Sequence, residues 1–254
     1  MYLDFLQINI FTLIPFKNLT NKLVSFVKQL QNTTFSAPFI TKCKSDNSKC
    51  IKDATQAAIP IFAAGSPELG VEKLDPLTIK SLDASSPGLK LLLNDITLNG
   101  LKDCVAKKVE RDISKSKLSL KLLCNVEAVG KYEMNGQLLV LPIEGKGDAH
   151  IVLRKLQILG EFDLAESVGN NGENHWAIKS WTHSYALKDK STLELENLFN
   201  GNEDLGRVAR ELLASSSNEI VTEIGPPIVK SVVKKIVENI NNFFKKVPVK
   251  DLSL

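Results

Sequence analysis

Aromatic residues are scarce in this chain: 11 Phe, 3 Tyr and 2 Trp are 6% of its 254 residues, while hydrophobic residues as a whole reach 43%. The core must therefore be built from leucine, isoleucine and valine, which give an interior a smooth aliphatic lining. Runs of one charge sign are also missing. The 32 Lys and Arg nearly balance 29 Asp and Glu, for a net +3, and no basic stripe could track a phosphate backbone, so no nucleic-acid partner is expected. No uncharged window reaches the roughly 20 residues that span a bilayer, which argues against stable membrane insertion.

Chemistry-bearing patterns are equally sparse. His150, His175 and His183 lie in unrelated segments, and Cys43, Cys50, Cys104 and Cys124 include no Cys-x-x-Cys. We expect neither a metal site nor a cofactor from so dispersed a ligand set. There is no Gly-x-Ser-x-Gly elbow, and no histidine and acid stand in a recognisable relation to a serine or cysteine, so no catalytic residue is assigned and the chain is not expected to be an enzyme. The carboxylate pairs Glu194 with Glu196 and Glu203 with Asp204 read as solvated charge at turns and strand ends.

What is present has an order. Residues 1–37 carry an apolar stretch interrupted by Asp4 and end near Phe35-Ser-Ala-Pro38, so we take them as a signal, a propeptide or an unusual extension and begin the domain at 38. The sequons at Asn18 and Asn32 fall inside that segment. Ile51, Ala54, Ala58, Ile61 and Phe62 step by three and four across 48–64, which predicts a helix that Pro60 shortens or bends. Turn residues then crowd Gly65–Gly70 and Leu74–Leu77.

From Leu89 to Leu198 the period changes to two. Leu118, Leu120, Leu122, Cys124 and Val126 alternate with more polar neighbours, and Tyr132, Met134, Leu138 and Val140 continue the alternation across a hairpin turn expected at Asn135-Gly136. Further strands are predicted over 149–164 and 175–187. Leu205, Val208, Ala209, Leu212 and Leu213 then form one helical stripe, interrupted at Gly225-Pro-Pro227. A second stripe runs through Val229, Val232, Val233, Ile236, Val237, Ile240, Phe243 and Phe244, with lysines on its wet side.

These parts predict an α+β fold: a long curved antiparallel sheet wrapped around a long C-terminal helix, enclosing an elongated hydrophobic tunnel. Four cysteines form an even set, which suits an oxidising compartment. If a hairpin turns near Ser114, Cys104 and Cys124 face one another across adjacent strands; a bridge and a pair of reduced, buried thiols are both compatible with that placement.

Specific motifs then accumulate. Cys43 and Cys50, Ile59-Pro60, Pro67-Glu-Leu-Gly70, Leu74-Asp-Pro-Leu77, Leu139-Val-Leu-Pro142 with Gly145-Lys-Gly147, Leu198-Phe-Asn-Gly201 with Leu205-Gly206, and Phe243-Phe244 with Val247-Pro248 occur in this order. Over about residues 40–254 the chain resembles the insect takeout and juvenile-hormone-binding proteins. The resemblance implies a tubular lipid-binding fold, secretion into an extracellular fluid such as haemolymph, and a disulfide between Cys43 and Cys50. Hormone binders of the family carry a second disulfide in the C-terminal half; the lack of cysteine there moves this chain toward the takeout branch.

The expected function is that of a secreted, monomeric carrier of one small elongated hydrophobic ligand, a terpenoid such as juvenile hormone or a fatty-acid-like molecule. Candidate tunnel-lining residues are Leu138, Val140, Val229, Val233, Ile236, Val237 and Ile240, with Tyr132 and Tyr185 as hydroxyls that could orient the guest. The alternative is a membrane-interacting lipid-transfer or bactericidal-type protein of the same fold, for which Lys234, Lys235, Lys245 and Lys246 would meet an anionic bilayer. A carrier buries the apolar stripe of the last helix, whereas a membrane-docking protein leaves an apolar tip uncovered.

Overall fold

The architecture, taken from a computed structural model, is described for residues 36–254 together with 21 and 22. The reading of 1–37 as a processed segment therefore falls almost wholly outside the described residues; Ala37 is buried against Leu69, Val71, Phe243 and Val247.

Helix α1 (Ser48–Ala64) starts where the Asn47 side chain accepts a hydrogen bond from the Cys50 amide at 3.0 Å, satisfying one of the open N–H groups of its first turn. It runs through Pro60 to Ala64. Seven antiparallel strands follow: β1 (Leu77–Asp83), β2 (Leu89–Asn99), β3 (Val105–Asp112), β4 (Lys117–Leu138), β5 (Leu141–Val168), β6 (Asn174–Leu187) and β7 (Thr192–Leu195). The 22-residue β4 and 28-residue β5 form a central ribbon. One edge of β4 is covered first by β3, over 117–123, and then by β2, over 127–136. On β5, β6 covers 156–168 and β7 covers 149–152. Two long strands paired with different partners at their two ends make a trough longer than any single flanking strand. Register shifts at Asn94/Thr97, Ala106/Lys108, Cys124/Val126 and Asp163/Leu164 sharpen its bend.

The predicted hairpin turn at Asn135-Gly136 is a correction. Strand β4 passes straight through both residues, and the chain reverses at Leu139-Val140. Gly136 instead lets β2 approach: a Cβ on it would lie 2.9 Å from the Cα of Leu89. Because the strand ends at Leu138, the alternation does not carry to Val140, which is 84% exposed.

Helices α2 (Glu203–Ser215) and α3 (Ser217–Lys246) close the trough. Asn202 caps α2 through the Leu205 amide, and Glu203 and Asp204 occupy its first turn, where negative charge meets the positive end of the helix dipole. Here too the boundary differs from expectation. The break between helices is at Ser216, and α3 continues through Gly225-Pro-Pro227 for 30 residues. Pro226 and Pro227 have no N–H to offer Thr222 and Glu223. The Tyr185 hydroxyl donates to the Val221 carbonyl at 2.9 Å and lies 3.5 Å from that of Thr222, so β6 supplies a donor at the interruption. Gly225 permits this approach, since a Cβ there would sit 2.5 Å from the Tyr185 oxygen.

The apolar stripe of α3 lies under the sheet, with Val232, Val233, Val237 and Phe243 buried. Full burial of each such side chain contributes about 1.5–3 kcal/mol, enough to outweigh the modest helix propensity of valine. Asn239, 1% exposed, accepts from the Glu72 amide at 2.6 Å and donates to the Lys235 carbonyl at 3.0 Å, so the loop ahead of β1 is tied to the helix through a buried amide. Cys43 is bonded to Cys50 and Cys104 to Cys124, leaving no free cysteine among the described residues. The Val105–Leu123 pairing across the β3–β4 hairpin places the second pair opposite one another.

Candidate ligand-binding site

Two apolar cavities lie between the sheet and α3. The outer one, about 590 Å³, is bounded by α1 (Ile51, Ala54, Phe62), by the inner faces of β3–β6 and by the C-terminal residues Leu252 and Leu254. It reaches solvent where Ile113 and Leu254 are 63% and 75% exposed. The inner one, about 220 Å³, is walled by Leu91, Leu93, Met134, Leu138, Leu195 and Leu213 together with the middle of α3. Leu101, Leu120, Leu122, Ile158, Phe162 and Ile236 border both. The outer volume falls within the range of small-molecule sites, about 300–1,000 Å³, whereas the inner volume is below it. The inner volume alone is therefore small for a separate site.

The candidate residues divide accordingly. Ile236 borders both cavities, Ile240 the outer, and Leu138, Val229 and Val233 the inner. Val237 borders neither; it packs with Phe162, Leu164 and Ile178. Val140, out on the β4–β5 turn, is also remote from both. Tyr132 contacts the inner cavity and is 2% exposed, but its hydroxyl donates to the Glu196 carbonyl at 2.7 Å, and burial pushes its pKa up to about 12. The Tyr185 hydroxyl is likewise occupied by the carbonyls of α3, and burial raises its pKa. Both phenols serve the backbone.

The Gly145-Lys-Gly147 motif acquires a reason here. The segment carrying Glu196 to Leu198 lies directly on β5: a Cβ at Gly145 would meet the Tyr132 oxygen at 2.6 Å, and one at Gly147 the Glu196 carbonyl at 2.5 Å. The side chains of α1 and of the C-terminus were missed as cavity walls. The three- and four-residue steps of Ile51, Ala54, Ala58, Ile61 and Phe62 along α1 were legible, but which face of it closes a cavity depends on where the helix docks.

Of the carboxylate pairs, Glu203 and Asp204 belong to the helix start of α2, and Glu194 joins Glu127 around His150, at 2.8 and 2.7 Å from its two ring nitrogens. Those two hydrogen bonds, Glu194 first, raise the His150 pKa above its ordinary 6.5. Among the described residues no cluster of His, Cys, Asp or Glu could hold a metal ion, and no helix is long and apolar enough to cross a membrane.

Under the long helix the described residues thus enclose a largely aliphatic space. The family model for the haemolymph juvenile hormone binding protein (JHBP) matches residues 23–254. The chain belongs to the JHBP family. The family is one of proteins that bind hydrophobic small molecules. The crystal structure of Takeout 1 from Epiphyas postvittana has the same fold, with a TM-score of 0.82 at 31% identity, covering 84% of this chain and 99% of that one. The circadian clock-controlled protein daywake of Drosophila yakuba is 25% identical over 227 residues, 84% of this chain and 86% of its own length. A putative beta-carotene-binding protein of Schistocerca gregaria is 25% identical over 133 residues, covering 51% of this chain and 53% of that protein. The expectation of a takeout-like JHBP-family fold is borne out.

Proposed function

We propose that this JHBP-family chain is a secreted, monomeric carrier that encloses one elongated hydrophobic molecule, terpenoid or fatty-acid-like, along a continuous path formed by the outer and inner cavities. The observation that carries the reading is the pair of adjoining apolar cavities with six shared wall residues. The driving term is apolar surface removed from water, about 25 cal/mol per Å², so affinity follows ligand length and shape. Two disulfides and the family's occurrence in haemolymph support an extracellular location. Burial of the α3 stripe favours the carrier over the membrane-docking alternative: Lys234 and Lys235 pair with Glu238 and Glu72.

Native mass spectrometry and solvent extraction of the purified protein test the reading. The expected result is an organic guest, or uptake of a fluorescent apolar probe at one equivalent. A protein that arrives empty and takes up no such probe would contradict it, and flotation with liposomes would point to the membrane-active alternative.

A further inference from the structure

The outer cavity has one feature that apolar burial does not explain. Among its walls the only charged side chains of the described residues are Arg111 and Glu166, both near the mouth. Nη1 of Arg111 donates to the carbonyls of Asp112 at 3.1 Å and Lys117 at 3.0 Å, which fixes the guanidinium at the base of the β3–β4 hairpin. Its carbon lies 5.9 Å from the centroid of the Trp176 ring. Trp176 is held in turn, its Nε1 donating to Glu166 Oε1 at 2.9 Å. No carboxylate of the described residues is within ion-pairing distance of Arg111, although seven Lys–Glu or Lys–Asp pairs elsewhere on the surface come within 3.1 Å. Burial lowers the Arg111 pKa, with Glu166 and Asp112 opposing it. The result is a partly desolvated cation, braced by an aromatic ring, whose Nη2 and Nε donors make none of the bonds that fix it, at the opening of an aliphatic chamber.

Building on the carrier reading, we propose that the guest is a long-chain carboxylic acid bound tail-first, its carboxylate hydrogen-bonded to Arg111 at the mouth and its alkyl chain directed past Ile236 toward the inner cavity. A fork of free N–H donors matches the two oxygens of a carboxylate, and a charge-assisted bond in a partly dry site is stronger than a neutral one. Trp176 shields one face of the pair from water. Glu166, exposed and engaged by Trp176, repels the incoming anion from the solvent side, which sets a limit on affinity and favours release.

The test is displacement of a neutral apolar dye by palmitate and by methyl palmitate, which share a tail and differ in head charge. The acid is expected to bind about tenfold more tightly than the ester. Arg111→Met should abolish that difference while leaving ester affinity in place, and the retained ester binding shows that the variant is folded. Arg111→Lys, which keeps the charge but not the fork, should retain part of it, and Glu166→Gln should widen it. Equal affinity for acid and ester in the unaltered protein would overturn the assignment of Arg111 while leaving the carrier reading intact. Persistence of the full preference in Arg111→Met would also overturn it. Binding of neither ligand would overturn the carrier reading itself.

Discussion

Replacing Ile236 with tryptophan should shorten the usable binding path without closing the mouth. Ile236 is the residue of α3 that borders both the outer cavity of about 590 Å³ and the inner one of about 220 Å³. A bulkier ring there intrudes at the junction. Each methylene buried contributes about 0.8 kcal/mol, or roughly a fourfold gain in affinity. In the unaltered protein a homologous series of acyl ligands should therefore climb by about that factor per carbon until both spaces are filled. In Ile236→Trp the climb should stop at a shorter chain, with affinity for the shortest members unchanged. The assay is competition against a fluorescent probe across the series, run beside thermal melts, because overpacking a core costs about 1–3 kcal/mol and the variant has to be compared at a temperature where it is folded. If the two proteins show the same break in the series, the two cavities do not form one path and the tail-first geometry is wrong.

Other consequences follow from particular bonds. Tyr185→Phe removes the hydroxyl that serves the Val221 carbonyl beside Gly225-Pro-Pro227, and should cost about 1 kcal/mol, seen as a fall of some 2–4 °C in melting temperature. Gly225→Ala should cost more in the presence of Tyr185 than in its absence, because the added methyl meets the phenol oxygen; equal costs in the two backgrounds would refute that contact. Asn239→Ala leaves the Glu72 amide unpaired in the core and should destabilise by about 1–3 kcal/mol in denaturant unfolding, whereas an exposed turn asparagine such as Asn170 should tolerate the change. Since the folded-state pKa of His150 is raised, its pairing with Glu194 and Glu127 stabilises the fold below pH 6.5 and fades as pH rises through the higher folded value. An NMR titration should place that midpoint above 6.5 and move it down in Glu194→Gln; an unshifted midpoint would show that the pairing does not persist in solution. Cys43→Ser opens a bridge of sequence separation 7 and should loosen the segment ahead of α1, by about 2 kcal/mol of local stability, with the sheet unaffected by hydrogen exchange.

The sequence by itself determined the class of fold and the material of the interior. Period-two leucines from Leu118 to Leu122, a helical apolar stripe from Val229 to Phe244 and a shortage of aromatics specify a sheet with one greasy face, a helix to lie against it and an aliphatic lining, because side-chain direction follows backbone period wherever an element is regular. Where the elements stop was decided by tertiary structure. Asn135-Gly136 is a strong local turn signal, but Gly136 was needed for close approach to β2, so the strand ran on to Leu138 and Val140 was left outside. Gly225-Pro-Pro227 is a strong local break signal, but burial of the flanking apolar side chains under the sheet kept the helix whole, with the Tyr185 hydroxyl bonded to the Val221 carbonyl beside the break. The polar corner at the mouth was illegible for the same reason: Arg111, Glu166 and Trp176 come from three different strands, and only the pairing of those strands brings a guanidinium, an indole and a carboxylate to the rim of one cavity.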